Sequence, residues 1–343
     1  MKTRIAINGF GRIGRMVFRK AIENPELEIV AINASYPSET LAHLVEYDSI
    51  HGRFDGTVHP MKDGLLVNGH KVLLLNGRNP EELPWEKFKI DIVIEATGKF
   101  TTKESAGAHL DAGAKKVIIT APGKDVDATI VMGVNEGEYD DQDHHIVSNA
   151  SCTTNCLAPV AKVIDQAFTI KNGFMTTIHS YTSDQKNLDN PHKDLRRARA
   201  CGQSIVPTTT GAAKAIAEVL PNLKGKLHGM ALRVPTPNVS LVDLVVDVEK
   251  KVTKEMVNRI LAEQSRNDML GILGYTDKPL VSIDFTTSPQ SAIIDGLSTL
   301  VLDNHKIKVI AWYDNEWGYS CRVVDLAVHM HRMMTTKKEV HAS

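Results

Sequence analysis

The sequence predicts an α/β chain in two parts: a parallel sheet covered by helices on both faces, then an α+β half with a mainly antiparallel sheet. Three observations carry this expectation. Near-continuous apolar runs alternate with helical periodicity through the first 150 residues, as strands buried on both faces do. A Gly-x-Gly-x-x-Gly run joins the first such strand to the first helix. Beyond about residue 150 the alternation stops and strands follow one another directly.

Arg4–Asn8 reads as a short apolar strand, and Gly11–Glu23 carries Ile13, Met16, Val17 and Ala21 at helical spacing. Leu27–Asn33 is the second strand, Glu39–Val45 a short helix and Asp91–Thr97 a further buried strand. Ala106–Ala112 is helical and Lys116–Thr120 extended. Between Gly56 and Leu75, Asp63-Gly64 and Asn68-Gly69 mark hairpin turns. The second half opens with a long helical pattern, Thr153–Phe168, and a strand, Gly173–His179. Residues 180–204 lack periodicity and are rich in polar and basic groups, which inside a compact domain points to a functional loop. A helix at Gly211–Leu220, strands at His228–Val234 and Val239–Val248, a helix at Lys254–Gln264 and strands at Ser298–Val301 and Lys306–Trp312 follow. A last helix runs from about Glu316 to Met334, with a polar tail expected to fray. The expected domains are 1–150 and 151–315.

At 343 residues the chain has room for about two domains. Lys and Arg number 40 against 41 Asp and Glu, so no global basic field exists to hold a nucleic acid or an anionic membrane. No apolar run approaches the ~20 residues of a membrane span, and the N-terminus enters a strand without a signal-like stretch. Cys152, Cys156, Cys201 and Cys321 form no Cys-x-x-Cys pair and no zinc spacing. Scattered thiols without an export signal imply a reduced, cytoplasmic protein.

Gly9-Phe10-Gly11-Arg12-Ile13-Gly14 has the context that a dinucleotide-binding loop requires, after a strand and opening a helix. Gly9 permits the tight turn, Gly11 lets backbone approach a pyrophosphate, and Gly14 lets helix and strand pack closely. Cys152 lies in Ser148-Asn149-Ala150-Ser151-Cys152-Thr153-Thr154-Asn155-Cys156, where Ser, Thr and Asn crowd a helix start. The partial positive charge there favours thiolate, and the hydroxyls of Ser151 and Thr153 suit an anion beside it. The ordinary buried role of cysteine fits Cys156, Cys201 and Cys321. His179 closes a strand and opens the irregular segment, a position from which it can serve a thiol as general base. The basic run Asn190–Arg199 has the ordinary reading of a solvated helix start. Arg233 sits in the apolar strand Ala231-Leu232-Arg233-Val234, where a guanidinium needs an anionic partner.

These motifs identify a family. The chain resembles the phosphorylating glyceraldehyde-3-phosphate dehydrogenases from end to end. The landmarks are Ile7–Arg15, Ala150–Cys156, Thr177–Thr182, Thr210–Lys214 and Trp312–Ser320, in family order. The resemblance implies that Cys152 is the nucleophile and His179 its activator. It implies that Thr182 and Arg233 hold the phosphate of the substrate. Ser151, Thr153, Thr210, Gly211 and Arg197 would line the site for attacking inorganic phosphate. Gly9, Arg12 and Ile13 would cradle the cofactor pyrophosphate, together with Gly11 and Gly14. Arg78, Thr97 and Thr120 fall at cofactor-contacting positions, and Asn315 would hold the nicotinamide carboxamide. The segment from Ser180 resembles the loop that packs against a neighbouring subunit, so a homotetramer is expected, with residues 316–343 returning to the first domain. Three other readings stand beside this one. A relative acting on erythrose 4-phosphate is open, because Thr182 and Arg233 suit any sugar phosphate. A non-redox thiol acyltransferase is disfavoured by the dinucleotide loop and Asn315, and a binding protein without chemistry by Cys152 and His179.

The end of the second strand bears on cofactor choice. NAD-using members place Asp directly after the residue matching Asn33, where it accepts hydrogen bonds from the ribose 2′-hydroxyl. This chain reads Asn33-Ala34-Ser35. The carboxylate that selects NAD and repels a 2′-phosphate is absent, and Ser35 is a donor beside it. Pro191 matches NAD-type members, so NAD remains usable. The pattern is similar to a bacterial isoform that prefers NADP and works in gluconeogenesis.

Overall fold

Strand Thr3–Asn8 organises the first half of the chain. It pairs in parallel with Leu27–Asn33 on one side and Ile92–Glu95 on the other, so the strand order reverses direction around it. In such sheets the crevice opens at the carboxyl ends of the central strands, here Asn8, Asn33 and Glu95. The nine-stranded sheet runs Ala128–Thr129, Ile146–Ser148, Lys116–Ile119, Ile92–Glu95, Thr3–Asn8, Leu27–Asn33, His70–Leu75, Gly64–Val67, Val58–Met61. It is parallel except for the last two pairings, the hairpins at Asp63-Gly64 and Asn68-Gly69. This computed structural model describes residues 2–341 and divides into two units. The first comprises Met1–Ile130, Glu136–Ala150 and Ser320–Ser343; the second comprises Val131–Asn135 and Ser151–Tyr319.

Local chemistry explains where boundaries depart from the periodicity. Helix Arg12–Ala21 begins just after Gly11, buries Met16, Val17, Phe18 and Ala21, and ends with Arg19 and Lys20 at its negative pole. The helix expected at Ala106 starts at Lys103, because Thr102 and Ser105 form a reciprocal capping box. Its first turn is polar and invisible to an apolar pattern. The last helix, Trp317–His341, continues past the expected end at Met334; residues 342 and 343 of the expected frayed tail lie outside the described residues.

Glu95 is fully buried at the crevice end of its strand. It accepts from Asn8 Nδ2 at 2.5 Å and from the Thr97 amide at 2.8 Å, and its Oε2 is 3.1 Å from His109 Nε2. Trp85 Nε1 donates to His109 Nδ1 at 3.0 Å, which leaves the ring proton on Nε2, facing Glu95. Asn33 extends the network, donating to Asn8 Oδ1 at 2.7 Å. Replacing His109 with alanine strips one donor from a buried carboxylate and the acceptor from Trp85. We expect a loss of about 3 kcal/mol in denaturant unfolding, with the midpoint falling at unchanged slope.

The second unit is built on an eight-stranded mixed sheet. Its order is Val206–Thr208, Leu227–Val234, Ile170–Ser180, Ser240–Val248, Lys306–Tyr313, Ala292–Asp295, Leu273–Thr276, with Leu300–Leu302 also on Lys306–Tyr313. Ile170–Ser180 with Leu227–Val234 and Leu273–Thr276 with Ala292–Asp295 are parallel; the other pairings are antiparallel. Ser240–Val248 alternates buried and half-buried positions along its length. Helix Cys152–Phe168 is buried along most of its length, Leu157, Val160 and Ile164 among its core residues. The short strands Val206–Thr208, Leu273–Thr276 and Ala292–Asp295 were not expected, since three or four residues are too few to show a period.

Candidate active site

The backbone turns sharply before the reactive thiol. Ala150 is buried at φ +55°, a left-handed conformation that costs a non-glycine residue about 1–2 kcal/mol. Ser151 then caps the helix, its Oγ accepting the Thr154 amide at 3.0 Å, and Cys152 is the first helical residue. Cys152 Sγ lies 3.5 Å from His179 Nε2. His179 Nδ1 is 2.7 Å from the Ser180 carbonyl, to which it can only donate, so Nε2 keeps its lone pair toward the sulfur. Burial and the Arg233 guanidinium pull His179 down to about 3, against the Ser180 carbonyl. Burial pushes the Cys152 thiol up, and Arg233, the Thr153 hydroxyl and the first helical amides offset this only in part. Burial thus favours the neutral thiol and the neutral imidazole, with Nε2 already aimed at the sulfur. The helix start does favour thiolate, as expected from sequence, but burial outweighs it here.

A tyrosine fixes this pair from beneath. Tyr313 hydroxyl bonds Thr153 Oγ1 at 2.9 Å and Thr177 Oγ1 at 2.8 Å, tying the helix start to the strand that carries His179. Its ring meets the imidazole edge-on at 5.9 Å. Arg233 pairs in register with His179 on the neighbouring strand and donates through Nη1 to Ser180 O at 3.1 Å and to Thr182 Oγ1 at 2.7 Å. Its Nε is buried with no partner, the mark of a donor awaiting an anion. Arg197 donates to Asp184 Oδ2 at 2.5 Å and to Thr208 Oγ1 at 3.1 Å. Asn315 Oδ1 accepts from both Ser180 and Ser240 hydroxyls at 2.8 Å, and in this orientation its NH₂ is the group on offer.

In the first unit a cleft of about 630 Å³ opens at the carboxyl ends of the central strands. Gly9, Gly11, Ala34, Ser35, Arg78 and Thr97 line it. A Cβ on Gly9, at φ +94°, would lie 2.7 Å from the Thr97 amide, whereas one on Gly11 would meet nothing within 4 Å. Backbone at Gly11 is thus open to a close ligand. Gly11 brings no side-chain oxygen to the first amides of helix Arg12–Ala21, and its first turn holds no acidic residue. The lining includes three cations, Arg15, Arg78 and Lys99, and no carboxylate. An open glycine loop at a helix start, apolar side chains and an excess of cations in the lining fit a dinucleotide.

Comparison with known proteins shows the family. Residues 3–103 match the family model described as glyceraldehyde 3-phosphate dehydrogenase, NAD binding domain, and residues 151–315 match its C-terminal domain. "Glyceraldehyde-3-phosphate dehydrogenase 2" of Bacillus subtilis is 65% identical over 334 residues, covering 97% of this chain and 98% of that one. Proteins of the same name from Staphylococcus aureus and Staphylococcus epidermidis are 59% identical over the full length of both chains. The chain belongs to the glyceraldehyde-3-phosphate dehydrogenase family.

In this dehydrogenase the structure brings Cys152, His179, Thr153 and Arg233 into one cluster and links Arg233 through Thr182 and Asp184 to Arg197. Ser151 is committed to its cap, and Thr210 holds the Ala212 amide at 3.2 Å beside Gly211. No hydrogen bond among the described residues joins Thr210 or Gly211 to Cys152, His179 or Arg233. Among the cofactor residues, Arg12, Ile13, Gly14 and Thr120 do not line the cleft. Arg12 is ion-paired with Asp48 instead. Burial resists ionisation of Asp48, but Arg12 and the amides of Ile50 and His51 hold its carboxyl far below the usual range. Gly14 serves packing: a Cβ there would lie 2.1 Å from Gly9 O. Thr120 donates to Glu95 O at 3.0 Å. Sequence reasoning missed Tyr313, Thr177, Asp184 and Lys99. Tyr313 stands inside the Trp312 landmark block, and Asp184 lies two residues past Thr182, so position was the available signal.

Proposed function

We propose that this dehydrogenase interconverts glyceraldehyde 3-phosphate and 1,3-bisphosphoglycerate with NADP(H) preferred over NAD(H), working mainly to reduce the acyl phosphate. The cofactor preference is carried by one observation: the end of strand Leu27–Asn33 meets the cleft with Ala34 and Ser35, in a lining that has three cations and no carboxylate. A 2′-phosphate there meets no negative charge and has Ser35, Arg78 and Lys99 within the same cleft wall, while NAD loses the carboxylate that would select it. A preference for the phosphorylated cofactor goes with the reductive direction.

The chemistry follows from the cluster around Cys152. Arg233 and Thr182 hold the phosphate of the substrate and present its aldehyde to the sulfur. As Sγ bonds the carbonyl carbon, His179 Nε2 takes the thiol proton and passes it to the new alkoxide, giving a hemithioacetal. His179 next removes that hydroxyl proton as the carbon is oxidised to a thioester. A bound nicotinamide supplies the hydride acceptor, and Asn315 offers the N–H that would orient its carboxamide. Arg197 holds inorganic phosphate for attack on the thioester, and the departing sulfur regains its proton from His179. The same residues run the reverse reaction. Cysteines that form no disulfide among the described residues support a cytoplasmic location, and the exposed Leu188, Leu195 and Ile205 of the long loop support a homotetramer, which sedimentation tests.

Steady-state kinetics with both cofactors decides the preference. Wild type is expected to have the higher kcat/KM with NADP(H). Ala34→Asp should move the ratio toward NAD(H) by about tenfold or more, through restored ribose hydrogen bonds and repulsion of the 2′-phosphate. A wild type that clearly favours NAD(H) would sink the proposal.

A further inference from the structure

Asp184 stands between the two arginines of the anion site, and no role falls to it in the steps above. We propose that its carboxylate is a built-in counter-anion, occupying the donors of Thr182 and Arg197 that a phosphate group must take over, so that it sets how tightly phosphate ligands are held. This rests on the anion role given above to Thr182, Arg197 and Arg233.

The hydrogen-bond inventory forces a displacement. Thr182 has a single hydroxyl proton, and it is donated to Asp184 Oδ1. The Thr182 oxygen meanwhile accepts from Arg233 at 2.7 Å. A phosphate that is to receive a bond from Thr182 must first release that proton from Asp184. Arg197 Nη1 is likewise committed, to Asp184 Oδ2 at 2.5 Å. Among the described residues no carboxylate is ion-paired with Arg233, and its Nε is buried without a partner. One carboxylate is therefore shared between two guanidiniums, directly with Arg197 and through a hydroxyl with Arg233. The cluster is short of acceptors, yet not bare of negative charge.

Charge sets the direction of the effect. The two arginines face two aspartates, Asp184 and Asp194, the latter with its Oδ2 3.7 Å from Arg197 Nε, so the cluster holds no excess of positive charge. An arriving phosphate dianion gains the arginines but meets Asp184 a few ångströms away, and the like-charge repulsion weakens its binding. Asp184 can yield: its side chain is 40% exposed, so it can turn to water once its donors are taken. A ligand held by both arginines without that competitor would leave slowly. The carboxylate thus keeps phosphate affinity low enough for a doubly phosphorylated product to depart.

Asp184→Asn tests this, because the amide keeps the shape and an acceptor for Thr182 but removes the charge. Two measurements are made on each protein: the inorganic phosphate concentration that half-protects Cys152 from iodoacetamide, which needs no turnover, and kcat with KM for phosphate. We expect the half-protecting concentration and KM to fall by about three- to tenfold in Asp184→Asn, with kcat changing less and the difference shrinking at high salt. Asp184→Glu keeps the charge and should stay near wild type in KM. A KM for phosphate that is unchanged or raised in Asp184→Asn overturns the proposal and leaves Asp184 a loop tie. If phosphate gives no protection even in wild type, the anion-site reading itself falls, and this proposal with it.

Discussion

Cys152→Ala is expected to turn over no aldehyde while folding normally and retaining dinucleotide affinity. Without the sulfur no hemithioacetal or thioester forms, and the remaining residues only hold a substrate with nothing to attack it, so kcat falls by about 10⁵-fold or more. Little stability is lost, because Cys152 is only half-buried at the helix start and its Sγ meets His179 at a long 3.5 Å. Cys156→Ala is the matched control. That sulfur is fully buried one helical turn on, with a weak hydrogen bond to the Ala311 carbonyl at 3.8 Å, so its loss should cost about 1 kcal/mol of stability and leave most activity. Mass spectrometry after oxidation of the aldehyde in the absence of phosphate should find an acyl group on Cys152 of wild type and of Cys156→Ala, and none on Cys152→Ala. Substantial turnover by Cys152→Ala would refute the covalent route.

His179→Asn is expected to lower kcat by ~10²–10⁴, the usual range for a positioned general base. Burial favours the neutral thiol, and Nε2, 3.5 Å from the sulfur, is placed to take the Cys152 proton as the new bond forms. Asparagine has no basic lone pair to receive it. Alkylation by iodoacetamide should therefore slow at neutral pH, and its pH profile should move upward, since the thiol must then ionise unaided against burial. An unchanged profile would assign thiol activation to the helix amides and Arg233 instead.

What the sequence revealed and what it hid divide along a physical line. The strands near Gly9 and the helix after Cys152 are long, apolar and periodic, so burial writes them into the residue order. The glycine loop and the capping serine are local, and their chemistry is legible from neighbours in the chain. Contacts made across the sheet are different. Thr153, Thr177 and Tyr313 meet through hydroxyls from a helix and two strands, and a threonine on a strand looks the same in sequence whether or not a tyrosine reaches it. Arg12 shows the converse limit: its place in the glycine motif is plain, but Asp48, which holds its side chain, is set by the fold. Asp184 was hidden because an aspartate in a polar loop is the expected residue there.

His179 and Arg233 face each other in a parallel ladder, residue opposite residue. Neighbouring strands in any sheet lie about 4.8 Å apart. In the proposed mechanism, the step from the base at His179 to the guanidinium assigned to the far phosphate is therefore set by backbone hydrogen bonds, as a fixed gauge for ligand length. Surface loops around such a gauge can change sequence without altering its reading. Accepting a chain one carbon longer would require the ligand to bend, or its phosphate to find a different cation.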